Sequence, residues 1–330
     1  MVSAQPRDTS SPEFRNWFAG PGPSEELQNA PSLDKSTRDS ILQKIIDTVK
    51  SLYVDPATAK CLAETLSSNT SCGKYDHLDN AKQFAETIVS DLKSLSSDKH
   101  FRCLVGVSPE EPSPEEQLHR LNRLGYGFGP VKRLRGNIAS VEITGFVPLH
   151  WTGVRDKIAE IMSSVADANA LILDLRNNQG GNPATVALVA SYLCGDERFT
   201  WLRIVDPFSG SEIEDIHTDP HAKGRRFGIS KPVFVVTSKD TISGGEDLSY
   251  GLQSLKRARI VGEGTAGAAN LPKLCVLNDW LVLCVPHRYP VHPVTGSNWE
   301  KLGVRPDVYV EAVNAFERAY ELAKEEIGLA

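Results

Sequence analysis

Ser243 is the side chain around which chemistry can be built. It closes a polar turn after an apolar, β-branched run (Val233, Val235, Val236) and precedes a helix-like stretch from Gly244 to Leu255, within VVTSKDTISGGE at 235–246. A serine at a strand-to-helix turn has two uses. Its oxygen can cap the first backbone N–H groups, or it can attack a carbonyl where those N–H groups and the helix dipole stabilise an oxyanion. Gly244 and Gly245 favour the second use, because no side chain shields the adjoining N–H from a substrate. The stretch therefore reads as a nucleophile turn, though not of the Gly-x-Ser-x-Gly type. Glu246, one helical turn on, reads as a carboxylate favouring the helix N-terminus, with organisation of the turn as the alternative. A second glycine loop, Arg176-Asn177-Asn178-Gln179-Gly180-Gly181, joins a continuous apolar strand (Ala170 to Leu175) to a helix (Pro183 to Leu193). Its glycines either make the turn or lend N–H groups to a reacting oxygen. His100 ends SSDKH, just before the strand-like FRCLVGV. An imidazole there is either a satisfied polar residue or a general base, since its unperturbed pKa near 6.5 suits it to take a proton and return it.

Other chemistries find little support. No GxGxxG or GxxxxGK[ST] pattern points to a dinucleotide or ATP, and no cofactor is expected. His217 and His221, with Asp215 and Asp219, lie where Pro220 and Gly224 keep the pair off one helix face; His287 and His292 flank Pro290 in a hairpin connection. Solvated loops, and no metal, are expected at both places. Six cysteines (Cys61, Cys72, Cys103, Cys194, Cys275, Cys284) lack CxxC spacing and read as buried free thiols. The net charge of −6, with one short basic cluster from Lys223 to Arg226, gives no nucleic-acid footprint. No window approaches the ~20 apolar residues of a membrane span, and MVSAQPRDTSSPEFRNW lacks a signal-peptide core, so no membrane partner and a cytoplasmic location are expected.

The elements that must position Ser243 and His100 follow from patterning. At 330 residues and 40% hydrophobic content, one large domain and a smaller one are expected. Residues 1–35 read as a mobile tail, interrupted by Phe14, Trp17 and Phe18, which could dock on the body. Residues 36–106 read as a helical domain of three helices: the first buries Ile41, Leu42, Ile45, Ile46, Val49 and Leu52; Asp55-Pro56 opens the second; Asp79 opens the third, with Ala81, Phe84, Ile88, Leu92 and Leu95 inward. Residues 107–125 form a Pro/Glu-rich connector. From 126 to 330 strands and helices alternate, as a layered α/β core requires. The last stretch, Val313 to Ile327, is an amphipathic helix that packs on the body or on a second subunit, so an oligomer is possible.

TSKDTISGGE with RARIVGEGTAG, preceded by LILDLRNNQGG at 171–181 and followed by WEKLGVRPDVYV at 299–310, resembles the tail-specific (C-terminal processing) peptidases. Within that family the chain looks most like the branch containing interphotoreceptor retinoid-binding protein modules and the tricorn core protease. The resemblance implies a ClpP/crotonase-like layered α/β core beside an N-terminal three-helix domain. Many members insert a PDZ domain near the connector; here the connector passes quickly into YGFGPVKRLRGNIASVEITGF, which leaves no room for one. By resemblance His100 is the general base in an Asp-x-His motif, Gly180 or Gly181 pairs with Gly244 in the oxyanion hole, and Glu300 is the distal glutamate that supports the histidine. Two positions depart from the pattern. The lysine used by the processing peptidases is Ala268 here, which excludes a Ser–Lys dyad, and the serine before the histidine, a second polar support, is Lys99.

The implied function is a serine peptidase-like hydrolysis of peptide or ester bonds by Ser243, His100 and Glu300. Two alternatives use the same pocket: binding of a lipophilic small molecule, as in the retinoid-binding modules, or cyclisation or isomerisation of an apolar metabolite. The expected partner is thus a peptide or an apolar small molecule.

Overall fold

The computed structural model describes residues 32–106, 112–208 and 212–329. Phe14, Trp17 and Phe18, and residues 107–111 of the connector, lie outside the described residues. The chain divides into two compact units.

The first unit holds the described part of Met1–Pro112 together with Asn270–Tyr289 and the described part of Val205–Ser211. Its helices are α1 (Lys35–Leu52), α2 (Pro56–Ser71) and α3 (Ala81–Ser96), each opened by a side-chain cap: Asp34 accepts from Thr37 N–H, Asp55 from Ala57 N–H, and Asn80 from Lys82 and Gln83 N–H. The third cap is Asn80, not Asp79, because only the Asn80 oxygen reaches two orphan donors. Ile41, Leu42, Ile45, Ile46 and Val49 are buried as the period predicts. Leu95, expected inside, is 43% exposed as the last turn of α3 leaves the core. Strand β1 (Arg102–Val105) pairs antiparallel with β10 (Leu281–Val291), which pairs antiparallel with β9 (Leu271–Asn278). Leu277, Leu281, Leu283 and Val285 join the helices in one apolar core. A sequence boundary at 107–125 cuts the chain once, but the late strands Leu271–Tyr289 return to the helices. Three short amphipathic helices need an apolar sheet face to bury theirs, and β9 and β10 supply it.

The second unit comprises Ser113–Ile204, Glu212–Ala269 and Pro290–Ala330. After α4 (Pro114–Leu124) come β2 (Lys132–Leu134), β3 (Ile138–Glu142), α5 (Val154–Val165), β4 (Ala170–Asp174), α6 (Pro183–Ser191), β5 (Thr200–Val205) and β6 (Glu212–His217). β7 (Val233–Thr237), α7 (Gly244–Ser254), β8 (Arg259–Gly262), β11 (Val308–Tyr309) and α8 (Ala312–Glu326) complete it. Its six-stranded sheet runs β11-β8-β7-β4-β3-β2, parallel except for the β2–β3 pair. Strands β4 and β7 are buried throughout, as their unbroken apolar sequences require of a sheet covered on both faces. Helix α8 covers one face: Ala315, Ala319, Leu322 and Ala323 pack on Ile138, Ala170, Ile172, Phe234, Val236 and Val261. The C-terminal helix therefore packs on the body of its own chain. The segment expected as a polar loop at Asp215 and His217 is strand β6. Among the cysteines only Cys284 is buried; Cys61 and Cys72 are exposed because they fall on outward positions of α2 and its end.

Candidate active site

β7 and β4 lie side by side in parallel, so the loops at their C-terminal ends are neighbours. Side chains stitch them together. Thr241 Oγ1 donates to Leu175 O at 2.8 Å, Ser238 Oγ to Arg176 O at 2.6 Å, and Ile242 N–H to Asn178 O at 3.1 Å. At the tip, half-buried Ser243 has φ 54° and ψ −115°. An N-cap serine ordinarily has extended backbone; positive φ with this ψ is strained for any residue with a Cβ and persists only where its surroundings over-determine it. The glycines allow the two loops to touch. A Cβ on Gly180 would meet Ser243 Cβ at 2.7 Å, one on Gly244 would meet Gly181 N at 2.8 Å, and one on Gly245 would meet Asn178 Oδ1 at 2.6 Å.

Hydrogen bonding then separates the oxyanion candidates. Buried Asn178 donates from Nδ2 to Ile143 O at 2.8 Å and accepts the Gly180 N–H on Oδ1 at 2.8 Å. Gly180 is thereby corrected from donor to spacer: its N–H is spent inside the loop. The N–H groups of Gly181 and Gly244 take no internal partner among the described residues and stand beside each other next to Ser243.

Glu246 is also corrected. Rather than only a carboxylate favouring the helix N-terminus, it is fully buried and accepts four hydrogen bonds: Ser243 N–H at 2.9 Å, Thr265 Oγ1 at 2.6 Å, Gly267 N–H at 2.6 Å and Ala268 N–H at 2.9 Å. Burial pushes its carboxyl above the ordinary range while these donors pull the other way. It organises the turn, clamping the strained Ser243 peptide to the loop after β8.

His100 belongs to the first unit. Helix α3 ends at Ser97, in the left-handed conformation at φ 62°, and Asp98 N–H then bonds to Ser96 Oγ at 3.1 Å. Asp98 is completely buried; its Oδ1 accepts the His100 N–H at 2.9 Å, and its Oδ2 accepts Asn270 Nδ2 at 2.8 Å and the Tyr53 hydroxyl at 3.4 Å. Phe101 stacks on Tyr53 at 5.1 Å and fixes the strand that follows. His100 is 6% exposed, with Nδ1 3.7 Å from Asp98 Oδ1. Burial alone would raise the Asp98 carboxyl, but the nearby His100 ring, the His100 backbone N–H and the bond from Asn270 outweigh it and hold the carboxyl below its ordinary range.

Residues 137–310, more than half of the chain, match the family model described as peptidase family S41. The chain belongs to peptidase family S41. It is similar to the chloroplastic carboxyl-terminal-processing peptidase 2 of Arabidopsis thaliana, 29% identical over 208 residues that cover 59% of this chain and 38% of that protein. The chain spans under two fifths of the length of the carboxyl-terminal-processing relatives it matches. Two solved structures share the fold: a lipoprotein from Streptococcus agalactiae (TM-score 0.60, 17% identity, 87% of this chain and 96% of that one) and the tricorn protease (TM-score 0.58, 13% identity, 88% and 37%).

The remaining sites of this S41 chain fall as follows. Ser243, Gly244, Gly180, Gly181, Glu246 and Glu300 lie in the second unit, and His100 and Lys99 in the first. Glu300 Oε2 accepts the Ala269 N–H at 2.7 Å, and the adjacent Trp299 donates from Nε1 to Ala268 O at 2.9 Å, so both residues brace the segment carrying Ala268. Lys99 is exposed between two buried neighbours, and the carboxylate beside the imidazole is that of Asp98, 3.7 Å from Nδ1. Sequence reasoning weighed Asp98 only as the first residue of the Asp-x-His motif and gave it no role of its own, although an aspartate two residues before a turn residue is itself an Asx-turn signal. It passed over Asp247, a buried residue in the first turn of α7 that accepts Trp201 Nε1 at 2.9 Å; burial, opposed by that bond, pushes its carboxyl up to about 8. His292, expected in a solvated connection, is 1% exposed. It lies edge-on to Trp201 and Tyr250, and burial pushes it down to about 4. No helix among the described residues is long and apolar enough to cross a membrane.

Proposed function

We propose that this chain hydrolyses peptide bonds as a serine peptidase: Ser243 attacks the carbonyl carbon, His100 takes its proton and returns it to the leaving amine, and water resolves the acyl-enzyme. The observation that carries this reading is the strained Ser243 backbone, φ 54° and ψ −115°, beside two unspent N–H groups from Gly181 and Gly244. Strain of this kind is retained where function requires it, and a pair of N–H groups next to a nucleophile matches the needs of a tetrahedral oxyanion, where one donor contributes about 3 kcal/mol to the barrier. His100 as base rests on the sequence resemblance and on the chemistry of imidazole. Ala268 removes the lysine alternative, since its methyl group can carry no proton. Glu300 contributes by bracing Ala269. The unit that holds the helices of residues 36–106 would then carry the base, and the unit that holds the six-stranded sheet would carry the nucleophile.

The test is digestion of a diverse peptide mixture followed by mass spectrometry, with Ser243→Ala and His100→Ala as controls. Products that form with the parent and vanish with both variants are expected, and their termini give the side-chain preference. A folded parent that cleaves nothing would sink the peptidase reading and direct the search to lipophilic ligands.

A further inference from the structure

Asp98 is a fully buried carboxylate whose surroundings fix it from every side but one. Oδ2 is held by Asn270 Nδ2 at 2.8 Å and the Tyr53 hydroxyl at 3.4 Å, and the Asp98 N–H is tied to Ser96 Oγ at 3.1 Å. Oδ1 takes the His100 N–H at 2.9 Å and keeps lone-pair capacity directed at the same residue's ring, 3.7 Å from Nδ1. Both ring nitrogens of His100 are buried and lack a hydrogen-bond partner among the described residues. A buried imidazole nitrogen gains from any acceptor within reach, and closing this gap to an ordinary hydrogen bond takes about 1 Å of side-chain rotation. Catalytic hydrogen bonds are commonly long in the absence of substrate and tighten when it binds.

We propose that Asp98 is the positioning residue for His100: it accepts the Nδ1 proton, fixes the tautomer, and so leaves the Nε2 lone pair as the one that receives the Ser243 proton. This is the part that the sequence resemblance gives to Glu300, whose Oε2 is engaged by the Ala269 N–H. The proposal rests on the reading of His100 as base. Asp98 is suited to the role because it is held ionised, and an ionised carboxylate stabilises the imidazolium formed during attack. Asn270 and Tyr53 act through Asp98 by keeping its second oxygen occupied.

The tautomer can be read without turnover. In Ser243→Ala protein labelled with 15N-histidine, the long-range proton–nitrogen spectrum of neutral His100, assigned by its loss in Ser243→Ala/His100→Gln, should show the proton on Nδ1. A proton on Nε2 would overturn the proposal. In otherwise native enzyme, Asp98→Asn should lower kcat by on the order of 10²- to 10⁴-fold with KM changed less than about threefold, and Asp98→Glu should recover part of kcat. A kcat for Asp98→Asn within about threefold of the parent would also overturn it, as would the same kcat loss in Glu300→Gln accompanied by an unchanged tautomer in Asp98→Asn. If His100→Ala retains activity, the base assignment fails on its own, while the tautomer still reports whether Asp98 orients the ring.

Discussion

The two turns that carry the candidate nucleophile and base are both organised by a buried carboxylate, yet they use it in opposite ways. Glu246 spends its oxygens on three backbone N–H groups and a threonine hydroxyl, so the Ser243 turn is a rigid frame around a strained residue. Asp98 bonds one backbone N–H and two side chains and stands next to a titratable ring. Burial wins at Glu246 and moves its carboxyl up; hydrogen bonding and the histidine win at Asp98 and move its carboxyl down. An oxyanion site gains from parts that do not move, because reorganisation adds to the barrier. A base must exchange a proton in every cycle, and its support must answer to that charge.

Substitutions can break or sharpen this contrast. The largest effect is expected from Ser243→Ala, which should reduce peptide hydrolysis on the order of 10⁴-fold or more in a single-turnover assay. Ser243→Gly should be equally inactive but more stable than Ser243→Ala by about 1 kcal/mol in urea unfolding, since glycine alone relieves the positive φ. Equal stability of the two would mean that the turn is not strained. Next, Gly244→Ala drives a methyl group against Gly181 N and Phe146, and should lower kcat about 10²-fold with little change in KM. Glu246→Ala strands two buried N–H groups and a half-buried one and should cost about 3 kcal/mol or more of stability. A loss of only a few tenths would restore the reading of Glu246 as a carboxylate that merely favours the helix N-terminus.

The smallest effects are in pH dependence, and their signs differ. Asp247, pushed up to about 8, keeps a proton in the folded chain that the unfolded chain loses near pH 4. Stability therefore falls as pH rises between those values, by at most about 1.4 kcal/mol per pH unit, and Asp247→Asn should flatten that slope in urea titrations at pH 6, 7 and 8. Asp98, held low, contributes stability that is present above its unfolded value and lost as pH falls through its folded one, so Asp98→Asn should blunt acid unfolding instead.

Much of the fold was legible because its signals are local. Val233 to Val236 and Ala170 to Asp174 are unbroken apolar runs, as parallel strands buried on both faces must be, and Asp55-Pro56 marks a helix start within three residues. The serine turn was legible for the same reason. What escaped was set by partners distant in sequence. Asn178, which takes the Gly180 N–H, is itself held by Ile143 O, 35 residues away, and nothing in SGGE tells that Thr265, Gly267 and Ala268 arrive to bury Glu246. Asp98 entered only as the first residue of the Asp-x-His motif, without a role, because the bond that marks it as structural comes from Asn270, 172 residues away. His292 looked like loop because Pro290 and Pro293 surround it, and the aromatic rings that bury it lie on other elements.

The return of Leu271–Tyr289 to the helices also sets a timetable for synthesis. The three helices emerge from the ribosome first, but the strand pair that completes their core, and the asparagine that secures Asp98, are made only after the whole stretch from Ser113 to Ala269. Contacts of such long sequence separation form late and slowly. The helical unit thus stays open until Asn270–Tyr289 is made, and Asn270 follows by only two residues the Ala268 that completes the clamp on the Ser243 turn, so the two supports are synthesised almost together.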